Sequence, residues 1–121
     1  KPRYDPPFVQ LPNERHAVST LAFRMQLKPG RVEEYRRRHD EIWPELDDTL
    51  RDAGIYDYSI FLDPATLQLF AVLKLTPHHP REELPDHPVM KRWWLYMAEL
   101  METEPDLRPR EWPLQPMFHL D

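Results

Sequence analysis

The 121-residue sequence contains no cysteine. Disulfides, thiolate zinc centres, iron–sulfur clusters and cysteine nucleophiles are therefore excluded together. Glycine occurs twice, at Gly30 and Gly54, so neither GxGxxG nor GxxxxGK[ST] can be written and no phosphate-cradling loop is expected. No stretch approaches the ~20 apolar residues that a membrane-spanning helix needs. Positive charge is not in excess: 16 Lys and Arg stand against 21 Asp and Glu, a net charge of −5. Broad contact with a phosphate backbone is not expected of such a chain, and neither nucleic acid nor membrane is an expected partner. No run of basic, then apolar, then small residues opens the sequence, and a cytoplasmic location is the expectation.

Proline is abundant, with 15 residues, about twice the usual share. Four lie in Lys1–His16, four in Pro77–Pro88 and four in Pro105–Pro116. Proline lacks the N–H that helices and central strands require, so residues 1–16 read as an extended arm and residues 17–121 as one folded domain. Hydrophobic residues at 40% and charged residues at 31% fit a globular domain of this size.

Val18–Leu27 alternates, with Leu21, Phe23, Met25 and Leu27 on one face, as a half-buried strand does. Pro29 suits the first position of a helix, whose N-terminal dipole Glu33 and Glu34 would complement. Val32, Tyr35, His39, Ile42, Leu46 and Leu50 recur at three- and four-residue spacing to about Ala53. Pro44 must interrupt that helix, and Gly54 can end it. Ile55–Leu62 and Leu67–Leu75 alternate again, the first with Tyr56, Tyr58, Ile60 and Leu62 on one face; Asp63-Pro64-Ala65-Thr66 joins them as a hairpin turn. A second helix is expected over Val89–Met101 with Asp86 as N-cap, and a last edge strand over Leu114–Leu120. The order β-α-β-β-α-β is that of the α+β ferredoxin-like fold. Its inward apolar positions (Leu21, Phe23, Met25, Tyr58, Ile60, Leu69, Ala71 and Leu73) look too many for one helical layer to cover. A homodimer in which two sheets face each other, a dimeric α/β barrel, is therefore expected.

The residues suited to chemistry fall in three segments: EYRRRHDEIWPEL (34–46), DYSIFLD (57–63) and KRWWLYM (91–97). Tyr35 and His39 stand four apart on one helix face. Imidazole, with a pKa of about 6.5, exchanges protons at neutral pH. Tyr and Trp rings offer flat apolar faces with polar tips, the surface on which a sugar ring packs. Adjacent Trp93 and Trp94 point about 100° apart on a helix, so one can pack inward while the other meets a cleft. Plainer readings exist for each. A helical His can be structural, Trp43-Pro44 can simply fill a kink, and paired Trp can be core. Arg36, Arg37 and Arg38 read as a solvated face, and Glu41 and Glu45 as helix-end charges rather than a carboxylate pair. His78, His79 and His87 are too irregularly spaced to read as a metal site.

These three blocks, with their spacing, resemble the L-rhamnose mutarotase family over about Ala22–Leu120. The resemblance implies an isomerase that interconverts the α and β anomers of L-rhamnose or a related 6-deoxyhexose by general acid–base catalysis, with no cofactor and no metal. It implies His39 as proton donor and Tyr35, Tyr58, Trp93 and Trp94 as substrate contacts. One departure is visible: family members carry Asn-Pro-Asp-Asn-Ser-Pro where this chain has Glu104-Pro105-Asp106-Leu107-Arg108-Pro109. That change would bear on which sugar is preferred. The alternative is a non-catalytic, or a haem- or aromatic-substrate-binding, member of the dimeric ferredoxin-like barrels, with the helical His as an iron ligand or a structural group.

Overall fold

The computed structural model describes residues 19–121; the expected arm, Lys1–His16, lies outside the described residues. The element order is β1 (Ser19–Gln26), α1 (Val32–Asp40), α2 (Pro44–Asp52), β2 (Ile55–Asp63), β3 (Gln68–Leu75), a 3-10 turn (Arg81–Asp86), α3 (Pro88–Met97), a second 3-10 turn (Ala98–Leu100) and β4 (Trp112–Pro113). The strands form one antiparallel sheet in the order β2-β3-β1-β4.

The alternation in β1 and β3 is realised as burial. Phe23, Met25 and Leu27 on one side meet Leu69, Ala71, Leu73 and Leu75 in a core that Leu46, Met90, Trp93, Met97 and Leu100 close from the helical side. Five of the apolar positions that suggested a second subunit, Phe23, Met25, Leu69, Ala71 and Leu73, are thus already buried within one chain. The surplus inferred from them does not exist, because three helices and two 3-10 turns cover this face rather than two helices.

Of the other local expectations, the helix start at Pro29, the Asp86 cap and the last strand are revised, while the break at Pro44, the stop at Gly54 and the hairpin turn are met. Pro29 does not start α1: it forms a turn with Gly30, whose φ of +76° is the left-handed geometry that Pro-Gly turns favour, so the helix begins at Val32. Pro44 does start a helix, with Trp43 in extended geometry (φ −64°, ψ 132°) as its N-cap, so the long helical pattern is two abutting helices. Gly54 follows α2 at φ +86°, and a Cβ there would lie 2.5 Å from both His79 Cβ and Thr76 Oγ1. Only glycine both turns the chain and admits that close approach. α3 is capped by His87, whose Nδ1 accepts the Val89 N–H at 3.2 Å, not by Asp86. The expected last strand, Leu114–Leu120, is not formed. Pairing occurs earlier, Phe23 with Pro113 and Arg24 with Trp112, and ends as Leu114 N donates to Ala22 O at 3.0 Å. Pro116 has no N–H with which to continue the ladder. The hairpin turn forms as expected, the Asp63 carboxylate accepting from Ala65 N (3.0 Å) and Thr66 Oγ1 (2.9 Å).

A bulge in β2 positions the site. The β2–β3 register shifts by one between Tyr56 and Ser59, with Asp57 at φ +51°. Ile55, opposite Leu75, faces the core; after the extra residue Ile60 and Leu62, opposite Ala71 and Leu69, face it too. Tyr58 therefore keeps company with Ile60 and Leu62 as the alternation suggested, but Tyr56 falls on the other face.

Candidate active site

A cleft of about 630 Å³ opens between the sheet and the helices, within the usual size for a small-molecule site. All five residues singled out from the sequence, Tyr35, His39, Tyr58, Trp93 and Trp94, line it. α1 supplies Tyr35 and His39 on one face, the rings 4.4 Å apart and tilted by 31°. α3 supplies both tryptophans. Trp93 is buried and meets the His39 ring edge-on at 5.4 Å, while Trp43 packs behind it at 5.1 Å. Trp94, one residue on, is half-buried at the rim. The helical turn thus separates the pair into a buried wall and an edge. Trp43 does not line the cleft; it holds Trp93 and packs on Tyr96 at 5.5 Å.

His39 Nδ1 lies 3.0 Å from the Tyr35 carbonyl oxygen. A carbonyl only accepts, so Nδ1 carries the hydrogen, and in the neutral ring Nε2 holds the lone pair. Burial lowers the His39 pKa, the Tyr35 hydrogen bond and Asp40 opposing that effect more weakly. Neutral imidazole is the form favoured near pH 7. Burial also pushes the Tyr35 phenol well above its ordinary value, with Tyr58 adding to the shift. The Tyr58 phenol rises for the same first reason, Glu111 adding and Arg81 opposing. Tyr58 keeps 38% of its surface accessible, and it is a cleft wall: that surface faces the concavity rather than open solvent. Both phenols hold their protons and present O–H groups.

The three consecutive arginines are not one solvated face. Arg37 is exposed and pairs with Glu34 (2.6 Å) and Glu41 (2.8 Å). Arg38 is 8% exposed and reaches from α1 to α3: it bonds Glu34 (2.6 Å), Glu99 (2.6 Å) and the Tyr96 carbonyl, and its guanidinium lies 4.1 Å above the Tyr96 ring. Hydrogen bonds from Arg37 and Arg38 hold the Glu34 carboxyl at about 2. Arg38 therefore fixes the helix that carries His39 against the helix that carries Trp93. Glu45 ties α2 to the same helix α3 through Arg92 at 2.8 Å.

Sequence reasoning missed Arg81 and Glu111, which also line the cleft. Neither sits in a periodic segment, so no pattern marked them. Leu107 is at the tip of a turn with φ +75° and does not line the cleft, whereas Arg108 and Pro109 border it or the hollow beside it. Among the described residues no group of three or more His, Asp or Glu is placed to hold a metal ion, and no helix is long and apolar enough to cross a membrane.

The class the fold and cleft define is a small α+β domain whose single main cleft is lined by an imidazole, phenols and two indoles, groups able to exchange protons and to pack against a ligand. The sequence model of the L-rhamnose mutarotase family matches residues 20–120. The chain is 60% identical over 103 residues to an L-rhamnose mutarotase of Jannaschia sp. (strain CCS1), covering 85% of this chain and 99% of that protein. It is 61% identical over 104 residues to one of Burkholderia cenocepacia, covering 86% and 100%. A crystal structure of an L-rhamnose mutarotase from Formosa agariphila superposes with a TM-score of 0.80 at 39% identity, over 85% of this chain and 99% of that one. The chain belongs to the L-rhamnose mutarotase family.

Proposed function

We propose that this protein interconverts the α and β anomers of L-rhamnose, or of a closely related 6-deoxyhexose, by general acid–base catalysis centred on His39. The single observation that carries this reading is the His39 Nδ1–Tyr35 carbonyl contact of 3.0 Å inside an aromatic cleft, in a chain of this family. It leaves Nε2 as the exchangeable position. Family membership favours the sugar over the haem-binding alternative.

The step moves one proton and breaks one bond. Nε2 takes the proton of the anomeric hydroxyl as the C1–ring oxygen bond opens, and the imidazolium so formed gives that proton to the ring oxygen. The open aldehyde turns about C1–C2, and the ring recloses on the other face as the proton transfers reverse. His39 thus acts first as base at the anomeric oxygen and then as the proton donor to the ring oxygen that the resemblance implies, with the order reversed on reclosure. Positioned proton transfer of this kind supplies ~10²–10⁴ in rate. Tyr35 and Tyr58 donate hydrogen bonds to the sugar, and Trp93 and Trp94 give apolar faces for its C–H bonds. A panel of free sugars examined by NMR saturation transfer between anomeric protons tests the activity; L-rhamnose at its uncatalysed exchange rate would refute it.

The strand order β2-β3-β1-β4 with all neighbours antiparallel supports the ferredoxin-like topology. The homodimer rests on different residues from those first considered. The sheet face away from the helices carries Ala22, Phe70 and Val72, with Phe61 61% exposed, and Met117, Phe118 and Leu120 of the C-terminal segment stand open. A second copy covering this face would bury them. Light scattering should give twice 14.7 kDa; a species of 14.7 kDa at micromolar concentration contradicts the dimer.

A further inference from the structure

One end of the cleft has no part in the proton transfers. Arg81, at the start of the first 3-10 turn, and Glu111, immediately before β4, line the cavity that holds His39. Both also line an adjoining hollow bounded by Glu104 and Arg108. Trp94 is shared by the two spaces, so Arg81 and Glu111 stand beside a residue assigned above to the sugar. They are close to a second such residue as well, since each acts electrostatically on the Tyr58 phenol.

Neighbouring charged side chains are committed elsewhere. Arg108 is paired with Asp106 at 3.1 Å, and Arg110 lies near Glu102 and Glu104 at 4.0 and 3.7 Å. Arg81 and Glu111 form no ion pair or side-chain hydrogen bond among the described residues. Glu111 is an exposed residue, yet it lines both concave spaces, and its carboxyl is desolvated enough to raise its pKa against the pull of Arg81 and Arg108. Its exposed surface therefore opens onto the cleft and the hollow.

A pyranose carries hydroxyls around its whole edge. Apolar walls such as Leu62, Leu84 and Met90 cannot satisfy them, and an unpaired buried hydroxyl is costly. Two carboxylate oxygens can accept from two neighbouring hydroxyls, and a guanidinium can donate to their oxygens.

We propose that Glu111, with Arg81 beside it, is a specificity-determining residue that accepts hydrogen bonds from the sugar hydroxyls on the ring edge turned away from His39. This inference rests on the sugar reading of the cleft. It assigns the choice among 6-deoxyhexoses to the β4 end of the site rather than to the helix that carries the proton-transfer group.

Intrinsic tryptophan fluorescence reports binding directly, because Trp93 and Trp94 line the cleft. Full-length protein is titrated with L-rhamnose and with its monodeoxy analogues, and anomer exchange is measured on the same samples. Glu111→Ala is expected to weaken L-rhamnose binding about tenfold and raise KM by the same factor while kcat changes little, as loss of uniform binding does. Glu111→Gln, which keeps one accepting oxygen, should fall between, and Arg81→Lys should recover most of what Arg81→Ala loses. One deoxy analogue should bind the parent protein about tenfold more weakly than L-rhamnose, yet bind Glu111→Ala as tightly as L-rhamnose does. That non-additivity is the signature of a direct contact. Unchanged binding in folded Glu111→Ala, or equal further losses for every deoxy analogue, would overturn the inference while leaving the mutarotase reading intact. A parent protein that neither binds nor exchanges any sugar in the panel would overturn both.

Discussion

Arg38→Ala tests whether the helices that carry the site are held together as described. The substitution removes the bond to the Tyr96 carbonyl, the charge-assisted contacts to Glu34 and Glu99, and the guanidinium over the Tyr96 ring. The contributions are unequal. Glu34 keeps Arg37 at 2.6 Å, and Glu99, with its side chain 62% exposed, rehydrates, so neither is left as a buried unpaired charge. The Tyr96 carbonyl loses its donor, worth ~1–3 kcal/mol. The cation–π contact adds ~0.5–1 kcal/mol at a half-open ring. With the lost aliphatic packing, the expected destabilisation is about 3 kcal/mol, toward the lower end of the ~3–5 kcal/mol seen when a buried pair is broken. For a domain of this size that is a fall in Tm of roughly 12 °C. Arg37→Ala, one residue earlier on the exposed face, should cost under ~1 kcal/mol. Urea denaturation of both variants, with m unchanged, provides the comparison. Equal destabilisation by the two substitutions would refute the clamp and return Arg38 to a solvated face.

The pH dependence of exchange follows from the lowered pKa of His39. If neutral imidazole is the working form, exchange falls as pH drops through a midpoint below ~6.5; an acid limb above that, or activity rising toward low pH, would contradict it. Protonating the buried ring also destabilises the fold as pH falls below the unfolded value, because the native state binds that proton less well. Leu107 occupies a left-handed position (φ +75°) at a turn tip, so Leu107→Gly should stabilise by ~0.5–1 kcal/mol with no change in sugar preference; a changed L-rhamnose to L-fucose ratio would place the turn tip in the site.

Much of this arrangement was legible in the sequence where one local period governs. The alternation of Leu69, Ala71, Leu73 and Leu75 is burial in β3, and the four-residue spacing of Tyr35 and His39 is a ring contact. The break at Pro44 needs only the missing N–H of proline. What was not legible depends on partners distant in sequence. Arg36, Arg37 and Arg38 look alike in a row, and only α3 with the 3-10 turn that follows it, bringing the Tyr96 carbonyl and Glu99, buries the last of them. The parity change at Asp57 needs the register of β3 to reveal it. Glu111 and Arg81 lie in proline-rich segments without periodicity, and the fold alone brings them to the cleft. The expected strand over Leu114–Leu120 failed for a related reason: alternating apolar residues signal a strand only where a neighbour is available to pair.

The central claim is that His39 moves the proton. His39→Ala, with anomer exchange and thermal stability measured on the same sample, tests it most directly. Removing a positioned acid–base group should lower exchange about 10²-fold or more, roughly 2.7 kcal/mol of barrier, while the protein stays folded. His39→Asn should be nearly as inactive, since an amide hydrogen-bonds but does not exchange a proton at neutral pH. A folded His39→Ala protein that retains parental exchange per molecule would contradict the mechanism.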